Sequence, residues 1–276
     1  MNAISLHSIV PVRAEAAENS EQTTQMLFGE TCTILEQKPR WKRVKLHSDG
    51  QDGWVDSKMI APMEKSEYET YKSAYAKAAQ VVFPMAYAMS ENNRQTIPLT
   101  AGTRLTNYED GRFSLLGVNF RIDPSMVAVT PPELNAENLQ QTVRFFLNVP
   151  YLWGGKNALG MDCSGFSQII LGLFGRQLLR NASEQATQGR QISDRKKAQA
   201  GDLVFFDHNF PEGQAGDSSV SPSANPTKIT HVGIILDTER VIHCSGRVKV
   251  EKLDEIGIFN AETGTYTHHL AQIRRI

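Results

Sequence analysis

Few residues in this chain could carry covalent chemistry, and they begin with one cysteine. Of Cys32, Cys163 and Cys244, only Cys163 stands in a context suited to a nucleophile. It follows Asp162, and behind it Phe166, Ile169, Ile170 and Leu173 fall at i, i+3, i+4 and i+7, the stripe of an amphipathic helix. Asp162 occupies the N-cap position and Gly175 a C-terminal capping position. The spacing predicts Cys163 in the first helical turn, at the positive end of the helix dipole, where thiolate is favoured over thiol. On the helix alone, a small buried core cysteine is the alternative. Gly154, Gly155 and Gly160, just upstream, let backbone approach a bound molecule closely.

A thiolate nucleophile needs a base, and two histidines offer one. Residues 229–236 read as a strand, 237–239 as a turn and 240–244 as the return strand, with His231 and His243 on opposite arms. Strand side chains alternate faces, so register decides whether the imidazoles meet. An even loop opposes His243 to Ile234 and separates them. A three-residue loop opposes His243 to Gly233 and places His243 diagonal to His231 on one face. We expect the odd loop, with Gly233 leaving room between the rings. His7, His47, His208, His268 and His269 carry no such context and read as solvent-facing or structural. Cys244 points away from His243 and reads as core, and Trp153 as packing.

The 276 residues suffice for two or three domains. Hydrophobic content of 40%, charged content of 21% and a net charge of −1 are ordinary for a globular chain and offer nothing to nucleic acid or an anionic membrane. Apolar runs such as residues 232–236 are too short for a membrane segment. Residues 1–7 lack the basic, apolar and cleavage pattern of an export signal. The expected location is therefore cytoplasmic for the chain as it stands, and periplasmic or secreted if a signal has been removed. Three cysteines make neither a disulfide framework nor a metal-ligand spacing.

Residues 1–63 alternate short apolar segments with turns. Trp41-x-x-Val44 followed by Gly53-Trp54-Val55 resembles a bacterial SH3-like barrel. Residues 64–80 read as a linker of helical character, and 81–130 as a second, more divergent SH3-like barrel. Pro131-Pro132 marks the next boundary, and residues 133–146 open the remaining domain, 131–276, as a helix carrying Leu139, Val143 and Phe146 on one face. Residues 208–228, rich in Pro, Gly, Ser and Asn, read as a long surface insertion, an inert loop in preference to a lid.

Three segments occur in order: Asp162-Cys163-Ser164-Gly165-Phe166, Gly201-Asp202-Leu203-Val204-Phe205-Phe206 and His231-Val232-Gly233-Ile234. Together they resemble the NlpC-type cell-wall cysteine peptidases over about residues 132–276. The resemblance implies an α+β class: a papain-like NlpC-type catalytic domain preceded by two all-β SH3-like barrels. With both barrels the chain looks like the γ-D-glutamyl-L-diamino-acid endopeptidases, which cleave peptidoglycan-derived peptides carrying a free N-terminal L-alanine.

The family roles then fall on Cys163 as nucleophile, His231 as general base and acid, and His243 as the third residue that holds the His231 ring. Tyr151 matches a tyrosine near the oxyanion, and Asp162 and Ser164 match residues lining the substrate groove. An acidic residue of the first barrel recognises the substrate amine in this family, and Glu15 is the candidate. An expected Asp-Gly-Tyr turn reads Gly50-Gln51 here. Asn181 stands where the family often has aspartate; it can accept from an ammonium but carries no charge. The resemblance implies a murein peptide partner, a monomer, and no metal or organic cofactor. It leaves open diaminopimelate against lysine at the third position, and peptide recycling against wall turnover. A related amidase or acyltransferase using the same cysteine and histidine is the alternative enzyme. A catalytically dead wall-binding module is disfavoured by the intact Cys163, His231 and His243.

Overall fold

A computed structural model describes residues 1–207, 210 and 228–276, so the expected insertion lies almost wholly outside the described residues. The chain forms two compact units: Met1–Pro132 with Trp153–Ala158, and Glu133–Leu152 with Leu159–Ile276.

In the first unit, β1 (Asn2–Ser5), β2 (Ile9–Arg13), β3 (Gln22–Leu27), β4 (Thr31–Gln37), β5 (Trp41–Leu46), β6 (Asp52–Asp56) and β7 (Ile60–Met63) form one sheet in the order β3-β2-β6-β5-β4-β1-β7. The sequence pattern sets its faces. Along β5, Trp41, Val44 and Leu46 are buried while Arg43 and Lys45 reach solvent. Val10, Val12, Met26, Cys32, Val44 and Val55 close the core. The helix α1 (Lys65–Tyr75) follows, burying Tyr71, whose hydroxyl donates to the Gly29 carbonyl at 2.7 Å.

Next come β8 (Ala79–Val81), β9 (Met85–Ser90), β10 (Thr96–Thr100), β11 (Arg104–Leu105), β12 (Arg112–Leu115), β13 (Val118–Arg121) and β14 (Val127–Ala128), in a four-stranded sheet, β10-β9-β13-β12, and a three-stranded one, β11-β8-β14. Their core takes in Ile4 and Met63 from β1 and β7 and Phe28 from the turn after β3. Phe28 meets Phe113 and Phe120 edge-on, and those two rings stack at 5.0 Å. The first and second β segments thus share apolar residues.

The first unit also takes in residues 153–158, a departure from the contiguous division expected at 130–131. Gln25 Oε1 accepts from the Lys156 backbone N–H at 2.9 Å and from Asn157 Nδ2 at 2.8 Å. Lys156 Nζ lies 3.2 Å from Glu30 and 3.9 Å from Asp49, all three side chains being buried. Trp153 is not packed as expected. It is 60% exposed, and its indole N–H reaches Glu21 at 2.6 Å.

The second unit opens with α2 (Ala136–Val143), capped by Asn135 and continued by a 3-10 turn through Phe146. The short strand β15 (Lys156–Asn157) lies in the segment that belongs to the first unit, and in the second unit β16 (Gly160–Met161) precedes α3 (Cys163–Leu173) and α4 (Ala182–Gln185). Then follow β17 (Arg190–Gln191), β18 (Leu203–Asp207), β19 (His231–Ile235), β20 (Arg240–Ser245), β21 (Arg247–Leu253), β22 (Gly257–Asn260) and β23 (Thr265–Arg275). They run β17-β23-β18-β19-β20-β21-β22, and β22 pairs back onto β23, which closes the sheet. Helix α3 lies on β19 and β20. Among the described residues no helix is long and apolar enough to cross a membrane.

Candidate active site

Cys163 is the first residue of α3. Asp162 caps the helix: it has extended backbone, and its Oδ1 accepts from the Gly165 N–H at 2.6 Å. The same carboxylate pairs with Arg180, through Nη1 at 3.0 Å and Nη2 at 2.5 Å, and Arg180 Nη1 also donates to Ser164 Oγ at 2.8 Å. Arg180 is 1% exposed. Asp162 and Ser164, expected along the substrate groove, therefore have their polar atoms engaged inside the protein, where they hold the start of α3 in place. The helix is buried well beyond the expected stripe. Ser167, on its other side, donates to Gln185 Oε1 at 2.8 Å, so α4 and the chain before it sheathe the face that sequence leaves open.

That burial changes the electrostatics expected at Cys163. Backbone N–H groups of Val232 and Ser164 and the Arg180 guanidinium favour the thiolate. Burial, helped by the neighbouring Asp162 carboxylate, outweighs them and pushes the thiol up to about 11. The helix start is present, but a sulfur removed from water keeps its proton. The Val232 N–H bond also places the sulfur against the beginning of β19, one residue beyond His231.

The hairpin has the odd loop. Leu236 donates to the Arg240 carbonyl, and Gly233 stands opposite His243. His231 and His243 thus share a face on a diagonal, and His231 Nε2 lies 2.8 Å from His243 Nδ1. Gly233 leaves the room expected of it, since a Cβ there would come within 2.6 Å of Val241 Cγ2 and 3.2 Å of His243 Cβ. His243 is fully buried, and burial, against the pull of Glu251, lowers its pKa. The ring is therefore neutral at neutral pH.

Two neighbours escaped the sequence reading. Glu251, on β21, lies with Oε2 2.8 Å from His243 Nε2 and 3.0 Å from Lys249 Nζ. Burial works to raise its carboxyl, but the hydrogen bonds from His243 and Lys249 outweigh it and hold it below the usual range. The pairing of β20 with β21 sets His243 against Lys249 and Val241 against Glu251, so Glu251 is again a diagonal neighbour. Counting the hairpin one strand further would have found it. His268, expected to be solvent-facing or structural, packs its ring 4.2 Å from that of His231. It comes from β23, 37 residues further along the chain, and no local pattern announces it.

A cavity of about 280 Å3 opens beside these rings, lined by Tyr151, Thr230, His231, Cys244, Ser245, Gly246 and His268. The half-buried Tyr151 phenol is shifted upward by burial and by Cys163, Asp162 and Cys244, so it keeps its proton and can donate. Cys244 is buried as expected and gives its thiol to the Met161 carbonyl at 3.1 Å, yet it also borders this cavity. Asn181 is exposed, its Nδ2 donating to Glu184 at 2.9 Å. Glu15 belongs to the first unit, exposed in the turn after β2, where its N–H donates to Ser20 Oγ. The second unit thus brings together Cys163, His231, His243 and Tyr151.

Comparison with known proteins matches residues 148–275 to the NlpC/P60 family and residues 12–60 to the bacterial dipeptidyl-peptidase Sh3 domain. A γ-D-glutamyl-L-lysine dipeptidyl-peptidase of Bacillus subtilis is 29% identical over 267 residues, covering 91% of this chain and 80% of that protein. Its namesake from Bacillus cereus is 26% identical over 219 residues, covering 69% of this chain and 61% of that one. A crystal structure of an NlpC/P60 family protein from Bacillus cereus superposes with a TM-score of 0.79 over 100% of this chain and 99% of the other, at 20% identity. At that identity the likeness speaks for the fold.

Proposed function

Since residues 148–275 are an NlpC/P60 domain and residues 12–60 a bacterial dipeptidyl-peptidase Sh3 domain, we propose that this chain is a cysteine endopeptidase. It hydrolyses the bond between γ-D-glutamate and a diamino acid in murein peptides with a free N-terminal L-alanine. The observation that carries the reading is the pair His231–His243, 2.8 Å apart on one face of a hairpin, beside a cysteine that opens a buried helix.

In this reading the resting nucleophile is a thiol. His231 Nε2 is committed to His243, so Nδ1 is the nitrogen that takes the Cys163 proton as sulfur attacks the γ-carbonyl. The new C–S bond leaves a tetrahedral oxyanion, held by the Cys163 N–H at the helix start and the Tyr151 hydroxyl. The imidazolium then protonates the departing amine as the C–N bond breaks. The thioester is hydrolysed by water whose proton returns through His231. Because the thiol supplies little thiolate at neutral pH, the reaction depends on His231 for its first proton transfer. Within the second unit, Asn181 is the candidate for holding the substrate ammonium, and a monomer suffices.

The test is incubation with L-Ala-γ-D-Glu-L-Lys, its diaminopimelate counterpart and the N-acetylated form of each, with products read by mass spectrometry. Release of L-Ala-D-Glu from the free but not the acetylated peptides is expected. Intact peptides, or equal cleavage of acetylated ones, would overturn the proposed specificity. Cys163→Ala should abolish turnover.

A further inference from the structure

His231, His243 and Glu251 occupy three adjacent strands, each one diagonal step from the next. The links are both 2.8 Å. A chain of this kind has a direction, because each neutral imidazole has one N–H and one lone pair. We propose that Glu251 is a positioning residue that sets this direction, so that the His231 nitrogen facing away from His243 carries a lone pair. This rests on the reading of Cys163 and His231 given above.

A carboxylate has no proton to give and can only accept. Glu251 stays ionised, since Lys249 Nζ lies 3.0 Å from the oxygen that faces His243. His243 must therefore carry its proton on Nε2 and donate it to Glu251. Being buried and neutral, it has a lone pair on Nδ1. His231 must then donate from Nε2, which leaves Nδ1 as the acceptor for the Cys163 proton. If the polarity were reversed, Nδ1 of His231 would bear a hydrogen and could not act as base. No proton crosses the chain in the reaction: Nδ1 takes the thiol proton, and the two outer N–H bonds hold the imidazolium in place. The groups facing this chain are Lys249 and Glu251 from β21, and the rings of His231 from β19 and His268 from β23, the latter 5.6 Å from His243.

The experiment uses full-length enzyme labelled with 15N-histidine, whose nitrogen shifts distinguish the tautomers, together with kcat, KM and the rate of Cys163 alkylation. The wild type is expected to show Nε2–H on both His231 and His243. Glu251→Ala should mix the His231 tautomers and lower kcat and alkylation about 10- to 100-fold, with KM within about two-fold. Glu251→Gln keeps an acceptor oxygen and should hold the tautomers and most of the rate. An Nδ1–H tautomer on wild-type His231 would overturn the proposal even if Glu251→Ala failed to fold. So would an Ala variant with unchanged tautomers and rate, or a Gln variant as slow as Ala with unchanged tautomers. Tautomers and alkylation need no substrate, so failure of peptide cleavage alone would strike the proposed specificity and leave this inference to its own readings.

Discussion

The protonation of Cys163 decides how the chemistry must start. Its surroundings contain groups that favour an anion, the N–H bonds of Val232 and Ser164 and the Arg180 guanidinium, yet the sulfur is buried beside Asp162 and its thiol is pushed up to about 11. Alkylation of Cys163 in the free enzyme, followed by mass spectrometry of its peptide, is expected to keep accelerating with pH and to show no plateau below pH 10. A plateau in the acidic range would mean a preformed thiolate. Linkage has a definite sign here. An unfolded cysteine releases its proton near about 8.5, so between there and about 11 the folded state binds more protons. This contribution to stability is complete below that window and is lost as pH rises through it. Urea titrations at pH 8 and pH 10.5 should show a smaller loss for Cys163→Ala than for the wild type. A second residue-scale expectation concerns Arg180, which is buried with Asp162. Arg180→Met leaves that carboxylate without its cation and should cost about 3–5 kcal/mol, read as the change in urea midpoint. A change below about 1 kcal/mol would mean that Asp162 finds another partner.

At the level of elements, the hairpin of β19 and β20 is what turns two distant histidines into a pair. Its register opposes Gly233 to His243, and the missing side chain is needed, because a Cβ at 233 would meet Val241 Cγ2 at 2.6 Å. Gly233→Ala should force the strands apart at His243. A stability loss of about 1–3 kcal/mol is expected, with a fall in kcat larger than that loss explains at temperatures where the variant is fully folded. Thermal melts beside steady-state kinetics separate the two effects, and unchanged kcat would show that the pair tolerates the displacement. Strand alternation is a local rule, so counting residues reduces the pairing to one question, whether the loop is odd or even, and the register answers it as odd. Glu251 was equally countable once β21 is read as the next return strand, since Gly246 makes the tight turn with positive φ between them.

For the whole molecule, the division into two units does not follow the chain. Residues 153–158 belong to the first unit although the chain on either side belongs to the second. Lys156 brings a positive charge to Glu30 and Asp49 in a buried setting. A fragment of residues 1–132 would leave those carboxylates without it. It is expected to melt below the first transition of the full chain, and Lys156→Ala in the full chain to destabilise by about 3 kcal/mol or more. Scanning calorimetry checks both, and an unchanged melting temperature for the fragment would show that the segment is dispensable.

What the sequence determined by itself were the properties that depend on neighbours along the chain. These are the strand and helix periods, the cap at Asp162, the position of the turn between His231 and His243, and the three ordered segments that mark the domain. What tertiary structure decided depends on groups far apart in sequence. Arg180 turns Asp162 and Ser164 inward, His268 crosses from the last strand onto His231, and residues 153–158 pass to the other unit. Cys163 keeps its proton for the same reason: desolvation sums over every element packed around the sulfur, and no stretch of sequence contains that sum.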